Sequence, residues 1–277
     1  GLIGESIETK LDDLKQGRNR VIEQGHTLVL GWSDKFVPLA AEIAKANASE
    51  GGGVIVVLSA APGKSWMDET VAEELPEEER FGTSIVCRAG DPVALSDLRK
   101  VSAADAKAVV VLADYSVEAD LSDARAARCV LALRAGIDAK AHTGVHTAPL
   151  ALATHPEPSA RILSMHPHHS PVITARAVVE LRDIDNRPTL ELVSKMATMS
   201  AEADEYGGAD GGTDGGASAS VVRMLVPHDI IGRLMIQCAR QAHLAEVYDT
   251  LCGFDGMEFY FKRWPALTGL TWGEVAF

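Results

Sequence analysis

Carboxylates gather where the apolar runs of this 277-residue chain end. Asp114, Glu118, Asp120 and Asp123 follow one run, Ser33 and Asp34 another, Gly90 and Asp91 a third. The segment "ELRDIDNRP" (180–188) adds Glu180, Asp183, Asp185 and Asn186. Hard oxygen donors with few cations nearby suit calcium. Asp114, Asp123, Asp183 and Asp185 are the calcium-ligand candidates. A plainer chemistry competes: Asp91 precedes Pro92, and Asp123 falls in a helix first turn, where acids serve the helix itself. Asp and Asn side chains also stabilise turns, which covers 180–188. Residues alone leave both readings open.

The stretch "GHTLVLGWSDKF" (25–36) has the build of a dinucleotide-binding start: a short apolar strand, a glycine, then a helix-like segment. That chemistry needs glycines for close approach to a pyrophosphate, and an acid after the second strand for a ribose. Only Gly31 survives of the glycine pattern. Trp32 and Phe36 are bulky, Asp34 would repel a phosphate, and Ser59-Ala60-Ala61 offers no acid. No NAD is expected. Trp32 and Phe36 are expected to pack where a cofactor would lie.

Other reactive types form no constellation. His142, His146, His155, His166, His168 and His169 lie among Pro, Ala and Thr. His142 and His146 have metal spacing only on a helix, which Thr143, Gly144 and the prolines disfavour. Asp204, Asp210 and Asp214 lack the order of an EF-hand loop. Cys87, Cys129, Cys238 and Cys252 form no C-x-x-C and read as buried reduced thiols rather than a zinc site. No nucleophile elbow, P-loop or H-E-x-x-H occurs, so no catalytic residue is expected and the chain does not read as an enzyme.

Composition narrows the classes further. A formal charge of -13, from 26 basic and 39 acidic residues, argues against nucleic acid as a partner. No apolar run approaches the ~18–20 residues of a membrane helix. The chain starts without Met and stops at "LTWGEVAF" in mid-pattern, so it reads as a soluble piece of something larger.

The elements that must position these residues alternate. Strands are predicted at 26–32, 51–59, 83–90, 106–114, 171–181 and within 220–229. Helices are predicted at 35–49, 66–79, 92–102, 122–136, 187–196 and from 230, with Ser122 and Gly136 as caps of the fourth. Near-continuous apolar strands separated by helices mean α/β: a doubly wound parallel sheet covered on both faces. Residues 138–170 and 201–219 interrupt the pattern and read as loops or disordered insertions.

Several blocks carry a family resemblance. "GHTLVLGWSDKF", "GGGVIVVLS", "GTSIVCRAGDPVALSDLRKVSAADAKAVVVLAD", "LSDARAARCVLAL", "VVELRDIDNRPTLELV", "VPHDIIGRLMIQCARQ" and "GFDGMEFYFKRWPALTGLTW" resemble the CASTOR and POLLUX ion channels. The resemblance spans nearly the whole chain outside the two insertions. It implies an RCK domain, a regulator of cation conductance related to the NAD-binding regulators of bacterial potassium uptake. It implies the first of two such domains, a homotetrameric gating ring, and a pore domain and second RCK domain in the same full-length chain. Calcium sensing coupled to pore opening, and a nuclear-envelope location, come with it.

Residues 1–24 are then the linker from the pore helix, 25–229 the Rossmann-like RCK domain, and 230–277 a crossover helix with the start of a smaller lobe. Ile231, Leu234, Met235 and Cys238 form its apolar stripe and the implied pairing interface. An ordinary core helix would show the same stripe. Two rival functions remain: a nucleotide-dependent oxidoreductase, and a structural assembly domain that senses nothing.

Overall fold

A computed structural model describes residues 17, 19–142, 176–202, 222–254, 267 and 269–275. Six strands build the sheet: β1 (Thr27–Leu30), β2 (Val54–Ser59), β3 (Ser84–Ala89), β4 (Ala108–Val111), β5 (Arg176–Glu180) and β6 (Val222–Leu225). The helices are α1 (Phe36–Asn47), α2 (Lys64–Glu74), α3 (Leu95–Lys100), α4 (Ala119–His142), α5 (Arg187–Glu202), α6 (Pro227–Arg240), α7 (Leu244–Cys252) and α8 (Trp272–Val275). Every strand pair is parallel, in the order β3-β2-β1-β4-β5-β6. This is the doubly wound α/β sheet expected from the strand–helix alternation. Strand order reverses between β1 and β4, which opens a crevice at their carboxyl ends.

Alternate residues of each strand serve opposite faces. Val29, Ile55 and Val57 meet Phe36, Val37 and Ala40 of α1 and Met67 and Val71 of α2. Leu28, Leu30, Val56, Leu58, Val109 and Val111 meet Leu98 of α3 and Ala126, Cys129, Val130 and Leu133 of α4. Each such fully buried side chain contributes about 1.5–3 kcal/mol, so both cores are needed to offset chain entropy.

Boundaries move where a backbone turn decides. β1 stops at Leu30 because Gly31 turns at φ 97°. β2 waits until Val54 because Gly51 and Gly52 both have positive φ. The predicted helix 66–79 ends at Glu74; Pro76 precedes a separate 3-10 turn at Glu77–Glu79. Helix α4 starts at Ala119 and runs on to His142, so neither Ser122 nor Gly136 caps it. Residues 138–142 and 201–202 thus complete helices. The rest of both insertions, and with it His146 through His169 and Asp204 through Asp214, lies outside the described residues.

The chain divides into two compact units, Gly1–Gly232 and Arg233–Phe277. Cys87 and Cys129 are buried free thiols, whereas Cys252 is exposed and Cys238 half-buried, against the expectation that all four are buried. No helix among the described residues is long and apolar enough to cross a membrane.

Candidate functional site

A cleft of about 780 Å³ opens at the carboxyl ends of β1, β2 and β4. Leu30, Val111, Leu112 and Ala113 form its apolar floor, with Trp32, Asp34, Asp91, Asp114, Arg125 and Arg128 among its walls. Gly31 supplies the turn at its base. A Cβ there would sit 3.1 Å from the Leu112 carbonyl oxygen, and its amide donates to Leu58 O at 2.9 Å. Counting from Gly31, the two further glycines of a dinucleotide cradle fall at Ser33 and Phe36. Phe36 is fully buried and stacks on Trp32 with ring centroids 4.4 Å apart. Trp32 also meets Trp66 edge-on at 5.9 Å. The aromatic pair holds the helix–strand contact that the third glycine would otherwise allow. At the end of β2, Ser59 turns its hydroxyl onto Ala61 O at 2.6 Å.

A polar cluster crosses the switch point beside the cleft. Glu180, at the end of β5, is buried. It accepts from Lys35 Nζ, from the Tyr115 hydroxyl at 2.9 Å and from the Ala113 amide at 3.0 Å. Lys35 Nζ also donates to the Tyr115 hydroxyl at 2.6 Å and sits 4.3 Å from the ring centroid. The Arg182 guanidinium faces that ring at 4.9 Å and donates to the carbonyls of Asp114 and Val117. Burial pulls the Lys35 ammonium down, but the hydrogen bonds to Glu180 and Tyr115 outweigh it and raise its pKa. Burial, then Glu180, pushes the Tyr115 phenol up. The ends of β1, β4 and β5 are pinned together by charge already paired within the protein.

The four calcium candidates occupy this rim in two groups. Asp114 accepts from the Ser116 amide at 2.9 Å and from its hydroxyl, and pairs with Arg125 at 2.6 Å. Burial raises its pKa, but Ser116 and Arg125 prevail and hold it below the usual carboxylate range. Asp123 is buried and accepts from the amides of Arg182 (2.9 Å) and Asp183 (3.0 Å) and from Asn186 Nδ2 (3.0 Å). Asp183 accepts from the Asp185 amide at 2.9 Å, closing a turn in which Asp185 is exposed. Asn186 also donates to Asp120 at 3.0 Å. The structure thus brings Asp123, Asp183 and Asp185 into one corner through Asn186 and the 182–183 backbone, and leaves Asp114 with Arg125. Among the described residues, no group of three or more His, Cys, Asp or Glu side chains has metal-holding geometry.

Lys35, Tyr115 and Arg182 were not among the residues singled out from the sequence. One signal was available: a lysine opening a helix faces the positive end of its dipole and needs a carboxylate. Glu180, at the end of an apolar strand, is that carboxylate. Ile231 and Met235 of the apolar stripe on α6 are exposed, at 54% and 66%, while Leu234 and Cys238 are half-buried.

Comparison with known proteins finds similar sequences along the chain. Residues 228–277 match the profile described as "Castor and Pollux, part of voltage-gated ion channel". Over 99% of its length the chain is 41% identical to the probable ion channel CASTOR of Oryza sativa subsp. japonica. It is 39% identical over the same share to the probable ion channel SYM8 of Pisum sativum. Over nearly its whole length this chain is similar in sequence to the CASTOR and POLLUX ion channels. It spans about a quarter of those relatives, 24% of each of these two. The ion channel DMI1 of Medicago truncatula, 38% identical over 99% of this chain, likewise extends far beyond the matching segment, which is 24% of it. Solved structures give weaker matches. The human SLO3 gating ring aligns with 86% of this chain and 31% of its own at 12% identity and TM-score 0.44. The GsuK RCK domain aligns with 62% and 25% at 15% identity and TM-score 0.34.

Proposed function

We propose that this chain is the regulatory, gating-ring domain of a cation channel of the CASTOR/POLLUX kind. It binds a ligand at the carboxyl edge of its sheet and couples that binding to the pore. The observation that carries this reading is the 38–41% identity to ion channels over 99% of the chain. The cleft at the strand reversal supports a ligand-responsive role, since this is where such sheets take their ligands. The proposed ligand is calcium; Asp120, Asp123, Asp183 and Asp185, at one corner of the rim, are its candidate ligands, and in this conformation they form no metal-holding group, so binding would have to draw them together. Asp114 contributes charge to the rim rather than a ligand, because Arg125 holds it. The ring is a homotetramer, the full-length channel adds a pore and a second domain of this kind, and the nuclear envelope is its membrane.

A ligand moves the pore only by binding one conformation of the ring better than another. Calcium at this corner would pull on the Asp123 bonds that join the start of α4 to the turn after β5. Calorimetry with calcium chloride, and magnesium chloride as control, tests the site. The expected result is saturable heat with calcium only, lost in Asp185→Asn. Asp123→Ala should destabilise the fold by about 2–4 kcal/mol, because it strands two backbone amides and an Asn side chain. Equal heats for both cations, or no heat with calcium, would overturn the calcium site.

A further inference from the structure

The segment that enters the domain before β1 is fastened at four points, and all four bear on one side of the fold. Arg88 Nε donates to Asn19 O at 3.1 Å. The Val21 amide donates to Lys100 O at 2.7 Å, and the Ser102 hydroxyl to Val21 O at 2.6 Å. The Gly25 amide donates to Asp105 O at 2.7 Å. Val21 itself is buried in the core that α3 and α4 cover, while its neighbour Ile22 is 89% exposed. Residues 19–25 are therefore a strap held largely by the carboxyl end of α3 and the turn after it.

The other end of α3 belongs to the cleft. Asp91, Pro92 and Val93 line the cleft wall. Asp97, in the first turn of α3, accepts from the Asp91 amide at 2.9 Å. Its carboxylate lies so close to Gly90 that a Cβ there would meet Oδ2 at 2.7 Å, so the turn into the cleft wall fits around this one side chain. Asp97 Oδ1 also pairs with Lys100 at 2.9 Å, and Lys100 Nζ donates to Ala89 O at 3.2 Å. Leu98 and Val101 are buried at 1% and 0%, so the helix rests on the sheet as a rigid body. Six residues span only ~9 Å. One short helix thus ends in the cleft wall on one side and in the strap on the other.

We propose that α3 is the mechanical tie between the cleft and the entering strap: displacement of the 90–93 turn is transmitted through Asp97 and the helix to Val21. Occupancy of the cleft is then read at the strap, and tension on the strap is felt in the cleft, as reciprocity of coupling requires. The proposal rests on the reading of this chain as a ligand-responsive domain, but its test uses no ligand.

Amide hydrogen exchange on the whole chain makes the test. Ser102→Ala removes a strap bond and should speed exchange of the Asp91 and Val93 amides at the cleft. Asp97→Ala removes a cleft bond and should speed exchange of the Val21 and Gly25 amides at the strap. The expected effect at the far end is about tenfold, equivalent to one hydrogen bond weakened. Arg80→Ala, which loosens only the loop after α2, should leave both ends unchanged and so excludes general softening. If each variant speeds exchange only at its own end, α3 is not the tie. Absence of calcium heat would instead sink the ligand reading and leave this outcome untouched.

Discussion

At the residue scale, single side chains decide what this Rossmann-type turn can do. Phe36 stands where a dinucleotide fold keeps its third glycine, and its ring is buried against Trp32. This substitution was legible from counting alone. The buried His26 was not. It lies 1% exposed at the junction of strap and sheet, with neither ring nitrogen in a well-aligned hydrogen bond, although the backbone of Val101 and Glu23 lies close by. Burial lowers its pKa below the ordinary 6.5; the backbone of Val101 and Glu23, and then the charges of Asp105 and Glu23, oppose this more weakly. The native state therefore binds fewer protons than the unfolded chain below pH 6.5, so stability falls as pH drops through that value. Wild-type protein should lose more stability than His26→Leu as the pH falls from 6.5 to 5.5, measured by urea unfolding. Parallel losses in the two proteins would show that burial does not lower the His26 pKa.

At the element scale, the strand and helix sequence was readable because apolar runs and turn residues alternate cleanly. The ends were less so. Gly136 looks like a helix stop, but one glycine costs only about 1 kcal/mol and α4 has enough packing to run through it. Ser122 looks like a cap, but its hydroxyl accepts the Asp114 amide at 3.0 Å and so anchors the end of β4. The acids of the rim were all visible as acids. Their partners were not, because Asp123 meets Arg182 and Asp183 across some sixty positions of sequence. A longer separation, 145 positions, hides the Lys35–Glu180 bond, which clamps β1 to β5. Lys35→Ala should cost about 2 kcal/mol in chemical denaturation, less than for a fully buried pair because the lysine side chain is 42% exposed. Adding Glu180→Gln should recover part of that loss, because the buried charge is then gone. A double variant no more stable than Lys35→Ala would contradict the clamp.

At the scale of the whole molecule, α6 carries large apolar side chains that remain in solvent: Ile231, Met235 and Ile236 are more than half exposed. A gating ring would cover such a stripe with a neighbouring copy. Met235→Asp should then weaken self-association of the chain at least tenfold in sedimentation, a loss equivalent to about 1.4 kcal/mol. Unchanged sedimentation would assign the stripe another role.

The most direct test places the segment in a channel. A chimera would carry this chain in place of the matching quarter of Oryza sativa CASTOR, with current recorded in a planar bilayer while calcium is varied on the domain's side. A regulatory domain predicts a cation current whose open probability shifts severalfold with calcium. A chimera that conducts normally but ignores calcium throughout the titration would contradict calcium-dependent gating by this domain.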